Sequence, residues 1–275
     1  MNNPNQKSPK KKLKMLSNYK LTGWHTLILV LSWEFWRYLS YLFESSTPDF
    51  EPAGVVNFIL LSSVIAIGLM LFRKKWHALS FGATHGFFYL VYFGFNPLNL
   101  LGVAILIGLL FFSRSQINSE LNERFKVNSR AILRRGLMGV VVGIFVLISF
   151  AAYQSPLAKE IERSQKLPSG TEVFIRDIVA STIGPRVEGG EVEKQNIISQ
   201  IANETFREIN IFLKPYFQFA PPLLAFGLFL VLWGLSWIFV WLSVLVGIGI
   251  FWILKKTGMV RIEEKDVKAE VLVIE

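Results

Sequence analysis

The chain contains no cysteine. Disulfides, thiolate metal sites and cysteine nucleophiles are therefore excluded, and the redox compartment cannot be read from cysteine use. Histidine is nearly absent, with three copies. None of HExxH, GxSxG or GxxxxGK(S/T) occurs, so no complete catalytic motif is present and no cofactor is expected. Charge is scarce as well, at 18% of residues, and acids are the rarer sign.

The basic excess is placed unevenly. Residues 1–20 carry six Lys and no acid, "RKK" stands at 73–75, and 114–135 holds six basic and two acidic residues. Residues 44–54 carry only the acids Glu44, Asp49 and Glu51, and 154–214 is close to neutral. Basic and non-basic connections alternate, which is the positive-inside pattern of a membrane protein. It explains the net charge of +9 better than a nucleic-acid partner does, and none is expected.

What the chain has in quantity is apolar bulk: 52% hydrophobic residues, including 24 Phe and eight Trp. Runs long enough to cross a bilayer recur, bounded by charge or by Pro and Asn. A soluble chain would instead show narrow apolar stripes opposite charged faces. The expectation is an all-α integral membrane protein, a polytopic helical bundle of about seven spans, or six if the last apolar run crosses once. A small helical extracytoplasmic segment accompanies it.

The expected order starts with a basic cytoplasmic tail, 1–20, followed by a membrane domain, 21–153, with spans at 24–43, 55–72, 77–95, 98–112 and 137–153. The basic start and apolar run resemble a signal peptide, but no small-residue cleavage site follows, so the run reads as a retained anchor. "FNPLN" at 95–99 turns the chain, because Pro97 cannot continue a helix. Residues 154–214 form the extracytoplasmic part. There Ser169 and Glu172 make a capping-box pattern, Gly184 and Pro185 close that helix, and Ile198, Ile201, Ile209 and Phe212 recur at helical spacing in a second. Two small helices are too little to fold alone, so 154–214 is expected to lean on the membrane or on a protein partner.

Residues 215–254 carry no charge across 40 positions. One helix of that length would measure ~60 Å, twice the hydrocarbon thickness. Trp233, Trp237 and Trp241 sit at the centre with Gly234 and Ser236, and Trp favours interfaces. The expectation is an apolar hairpin of two short spans that sends the charged tail, 255–275, outside. In the inner loop, Ile117, Leu121 and Phe125 stand among basic residues, as on an amphipathic helix lying on the anionic inner leaflet of the cell membrane. The lysine-rich N-terminus adds to that attraction, and both features fit ordinary topology signals better still.

Three ionisable residues stand inside apolar runs. Glu34 lies ~15 Å past Trp24 along a helix, and Arg37, three residues on, can pair with it. His85 lies ~12 Å past His77 in a span of the same direction, so Glu34 and His85 reach similar depths. Two kinds of role fit. One is a proton or ion path lined by Glu34, Arg37 and His85. The other is structural, as a polar clamp between helices, or as an outer belt with Trp33, Trp36, Tyr38 and Tyr41. A path carries more polar lining than three residues, which favours the structural roles. Close helix packing is expected at Gly82 and Gly86, at Ala104 and Gly108, and at Gly139 and Gly143.

"FGATH", Phe81 to His85, resembles the FxxxH motif of CAAX-prenyl-protease-like intramembrane metalloproteases. That family pairs it with EExxxR and a later HxxxN. Here Glu34 and Arg37 lack the second Glu, no His follows His85, and the family's activity is not carried over. The reading is a non-catalytic envelope scaffold or interaction protein. The alternative is a small transporter or channel, which the lack of a visible internal repeat disfavours.

Overall fold

Prolines mark where helices begin. Pro52, Pro97 and Pro156 each open a helix, and Pro221 and Pro222 stand in the first turn of the last one. A first-turn residue has no intrahelical use for its N–H, so proline costs nothing there. The computed structural model describes residues 9–44, 51–72, 74–123, 128–167, 169–183 and 190–260. Residues 45–50 of the acidic connection, Phe125, the Gly184–Pro185 break and the tail beyond 260 lie outside these residues. So does the side chain of Ser169.

The described chain forms α1 (Pro9–Glu44), α2 (Pro52–Leu71), α3 (Lys75–Phe93), α4 (Pro97–Glu123), α5 (Ser129–Tyr153), α6 (Pro156–Ser164), α7 (Ser169–Ile183), α8 (Glu191–Leu213), a 3-10 segment (Lys214–Phe219) and α9 (Ala220–Lys256). No strand occurs among the described residues. Among the described residues four helical segments are long and apolar enough to cross a membrane: Pro52–Leu71, Pro97–Asn122, Ser129–Tyr153 and Val192–Lys256. α1 and α3, which carry Glu34, Arg37 and His85, are not among them.

α2 is the centre of the bundle. Every residue from Leu61 to Met70 is buried, and α1, α5 and α9 pack around it. α3 packs on α1 and α4, α4 on α5, and α5 on α9. Phe58 of α2, Phe145 of α5 and Phe239 of α9 meet with ring centroids 5.2–5.5 Å apart. Ser63 of α2 donates to the Ser243 carbonyl of α9 at 2.9 Å. Large apolar side chains also cover the outside of the bundle: Leu27 and Val30 on α1, Phe87 on α3, Leu101 and Phe112 on α4, Leu230 and Trp252 on α9 are all exposed. A soluble protein rarely exposes so continuous an apolar surface, and these helices suit a lipid bilayer.

Three expectations need correction. Residues 215–254 do not form a hairpin: α9 is one unbroken helix of 37 residues. Gly234 and Ser236 alone are weak breakers, no proline or charged turn residue accompanies them, and in an apolar setting each backbone group is best satisfied inside a helix. Second, residues 115–123 are no separate surface helix, because α4 continues through Glu123. Ile117 is fully buried and lies where a Cβ on Gly136 of α5 would stand, so it packs on protein, not lipid. Third, the segment after α5 begins with an additional helix, α6, capped by Ser155, whose Oγ accepts from the Ala158 N–H at 3.2 Å.

α7 and α8 form a pair of their own. Ile175, Val179 and Ala202 are its buried core, flanked by Ile183, Ile198, Ile201, Phe206 and Ile209. Phe212 faces outward. α8 joins α9 through the 3-10 segment, where Phe217 packs with Ile161 of α6 and Ala220.

Candidate functional site

α1 turns one face inward: Ile28, Ser32, Phe35, Trp36, Leu39 and Ser40 are buried. This face meets α3 at His85. His85 Nδ1 lies 3.0 Å from Ser32 Oγ, and Trp36 Nε1 donates to the His85 carbonyl at 3.1 Å. The Trp36 ring stands 5.1 Å from the imidazole and 5.0 Å from Tyr89. His85 is fully buried, and its Nε2 has no hydrogen-bond partner among the described residues.

Glu34 and Arg37 are on the other side of α1. At 100° per residue, Glu34 points roughly 200° away from both Ser32 and Trp36. Arg37 donates to Glu34 Oε2 at 2.6 Å, and their side chains are 60% and 38% exposed, respectively. Arg37 also lies 5.6 Å from the Trp33 ring centroid. The neighbouring Tyr38 hydroxyl accepts from the Glu51 N–H at 3.1 Å and donates to the Glu51 carbonyl at 3.2 Å. Glu51 immediately precedes α2, so Arg37 stands near the end of the bundle, with Glu34 one turn deeper. The structure brings Glu34 and Arg37 together and leaves His85 apart from them.

Polar contacts secure both ends of the bundle. At the end where α3 stops, Asn99 is fully buried. Its Nδ2 donates to the Phe93 and Gly94 carbonyls at 2.9 and 2.8 Å, and its Oδ1 accepts from the Tyr89 hydroxyl and from Gln154. Asn96 Nδ2 reaches Gln154 Oε1 at 2.8 Å. Three helices are thus tied through carbonyls that α3 leaves unpaired at its end. Gly94 holds φ +90° there, a conformation that a side chain would strain.

At the opposite end, Arg114 of α4 donates to the Phe72 and Lys74 carbonyls at 3.1 and 2.8 Å. A cation there complements the C-terminal end of α2. Glu120, almost fully buried, pairs with Arg135 at 2.8 Å. Near this end His25 Nε2 approaches Ser80 Oγ at 2.7 Å, and its ring lies 6.5 Å from His77. Among the described residues no group of three His, Cys, Asp or Glu could hold a metal ion.

The small residues divide. A Cβ at Gly82 would lie 2.8 Å from Ile107, and one at Gly86 2.5 Å from Val103, so both seat α3 on α4. Gly139 and Gly143 do the same for α5: Cβ atoms there would crowd the Leu109 carbonyl (2.9 Å) and Leu106 (2.8 Å) of α4. Ala104 and Gly108 are exposed, and nothing lies within 4 Å of a Cβ at Gly108. Among the described residues Gly108 makes no close approach to another helix.

Sequence reasoning did not find Ser32, Asn99, Gln154, Arg114 or Glu120. Ser32 was detectable as a polar residue three and four positions from Phe35 and Trp36 on one stripe. Arg114 and Glu120 were hidden because the apolar run ends at Phe112, so both counted as loop charges. No protein-family model matches the chain, and no curated protein or solved structure matches it either.

Proposed function

We propose that the chain is a six-span, non-catalytic protein of the cell membrane, built to hold a partner and not to move a solute. The spans are α1–α5 and α9, with both termini cytoplasmic and α6–α8 outside. One observation carries the reading: Ser32, Trp36, Ser63 and His85 use polar atoms to join helices, while the charged pair Glu34–Arg37 faces outward. A solute path needs the reverse, charged or hydrated groups lining a route between helices. Lys255 and Lys256 in the last turn of α9 support the topology, since a single α9 crossing sends them inward.

The partner surface suggested by this reading is α7, whose Val173, Phe174 and Ile178 are exposed beside the α7–α8 core. Purified protein in sealed vesicles tests the reading. The vesicles should hold imposed proton and potassium gradients as long as empty ones do. A leak that disappears in His85→Ala would replace it with the transporter alternative.

A further inference from the structure

Between α5 and α9 lies a cavity of about 770 Å³ whose two ends differ in chemistry. Arg130 and Arg134, one turn apart on α5 and both exposed, occupy one end. Glu120, the acid in the wall, is already paired with Arg135. Among the described residues, Arg130 and Arg134 make no ion pair. The other end is lined by Met138, Trp237, Trp241 and Val240.

The register of the two helices gives the cavity its direction. Phe145 meets Phe239, and Leu133 fills the space beside Gly247, so α5 and α9 run antiparallel. The arginines therefore stand at the end where α9 finishes in Lys255 and Lys256. Trp237 lies roughly 20 Å further along the α5 axis at 1.5 Å per residue, slightly more than one leaflet's share of the ~30 Å hydrocarbon core. Trp237 and Trp241 are 69% and 53% exposed, and they sit far from either end of an apolar helix, where tryptophan is unusual.

We propose that this cavity holds one anionic phospholipid, its phosphate between Arg130 and Arg134 and one acyl chain along Met138, Trp241 and Trp237. Two guanidinium groups one turn apart suit the oxygens of a phosphodiester. A free phosphate would have no use for the aromatic wall, and a zwitterionic lipid brings an ammonium group toward the arginines. Basic pockets between membrane helices on the cytoplasmic side are where anionic headgroups bind. The inference rests on the bundle lying in a bilayer, not on a scaffold role, and gradient retention does not bear on it.

The test uses the full chain in neutral detergent, mixed with equal amounts of dioleoylphosphatidylglycerol and dioleoylphosphatidylcholine, with bound lipid read by native mass spectrometry. One phosphatidylglycerol should be retained with roughly tenfold preference. Arg130→Gln with Arg134→Gln should bring the two lipids to parity, whereas Lys255→Gln with Lys256→Gln should leave the preference intact. Equal retention by the unaltered protein overturns the proposal, as does a preference that follows the lysines. Displacement of the lipid by inorganic phosphate would identify a phosphate site instead and also overturn it. If the arginine variant fails to fold, tryptophan quenching by phosphatidylglycerol brominated in mid-chain decides. Trp237→Phe with Trp241→Phe should abolish its excess over brominated phosphatidylcholine, and an unchanged excess refutes the site.

Discussion

Lys20 and Met259 meet at 3.1 Å, the lysine Nζ donating to the methionine carbonyl. Lys20 stands where α1 enters its apolar part, and Met259 lies just beyond the end of α9. The contact therefore joins the first and last long helices at one end of the bundle. Tyr38 with Glu51, and Asn96 with Gln154, mark the other end.

If α1–α5 and α9 each cross once, as proposed, the number of crossings is even. A reporter fused after Glu275 should report the same side as one fused at the N-terminus, the cytoplasmic side under the positive-inside pattern. Reporters on opposite sides would mean that α9 breaks in the membrane.

His85 and Glu34 should differ sharply on substitution. His85→Ala leaves a cavity and strips Ser32 of its partner, at a cost of ~2–5 kcal/mol. Glu34→Gln removes only an exposed ion pair and should leave the denaturation midpoint nearly unchanged. Denaturant titrations of the two variants in one detergent compare them directly.

Asn99→Ala leaves the Phe93 and Gly94 carbonyls and the Tyr89 hydroxyl without their partner. Each unsatisfied buried group costs ~1–3 kcal/mol. The variant should unfold at markedly lower denaturant, and hydrogen exchange should rise first around 93–99.

The glycines should sort by neighbour. Gly139→Leu forces α5 away from the Leu109 carbonyl and should destabilise by at least ~1–3 kcal/mol. Gly108→Leu meets open space and should be close to neutral. Similar losses in both would show that Gly108 packs against another molecule.

Much of the architecture was legible because punctuation in the chain is local. Pro52, Pro97 and Pro156 announce helix starts, and Ser155 caps α6 in the same way, although that helix was passed over. The Glu34–Arg37 pair was legible from its spacing of three. The similar heights of Glu34 and His85 were legible from helix rise, but height says nothing about the face toward which each side chain turns. That depends on which stripe of α1 meets α3, and Ser32, Phe35 and Trp36 form it. α9 was misread because its tryptophans were assigned to an interface. Trp237 and Trp241 instead line the cavity beside α5, a tertiary feature with no local signal.

His85 is fully buried in the seam between α1 and α3, apart from Glu34, and this seam should exclude water. The chain's lack of cysteine allows a direct test in intact membranes: the pairs Ser32→Cys with His85→Cys and Glu34→Cys with His85→Cys, oxidised side by side, and His85→Cys alone treated with a membrane-impermeant maleimide. The 32–85 pair should crosslink, the 34–85 pair should not, and the thiol introduced at position 85 should stay unlabelled until the protein is denatured. Labelling of that thiol in the folded protein, or crosslinking of 34 to 85, would contradict the account and put water and charge where it places neither.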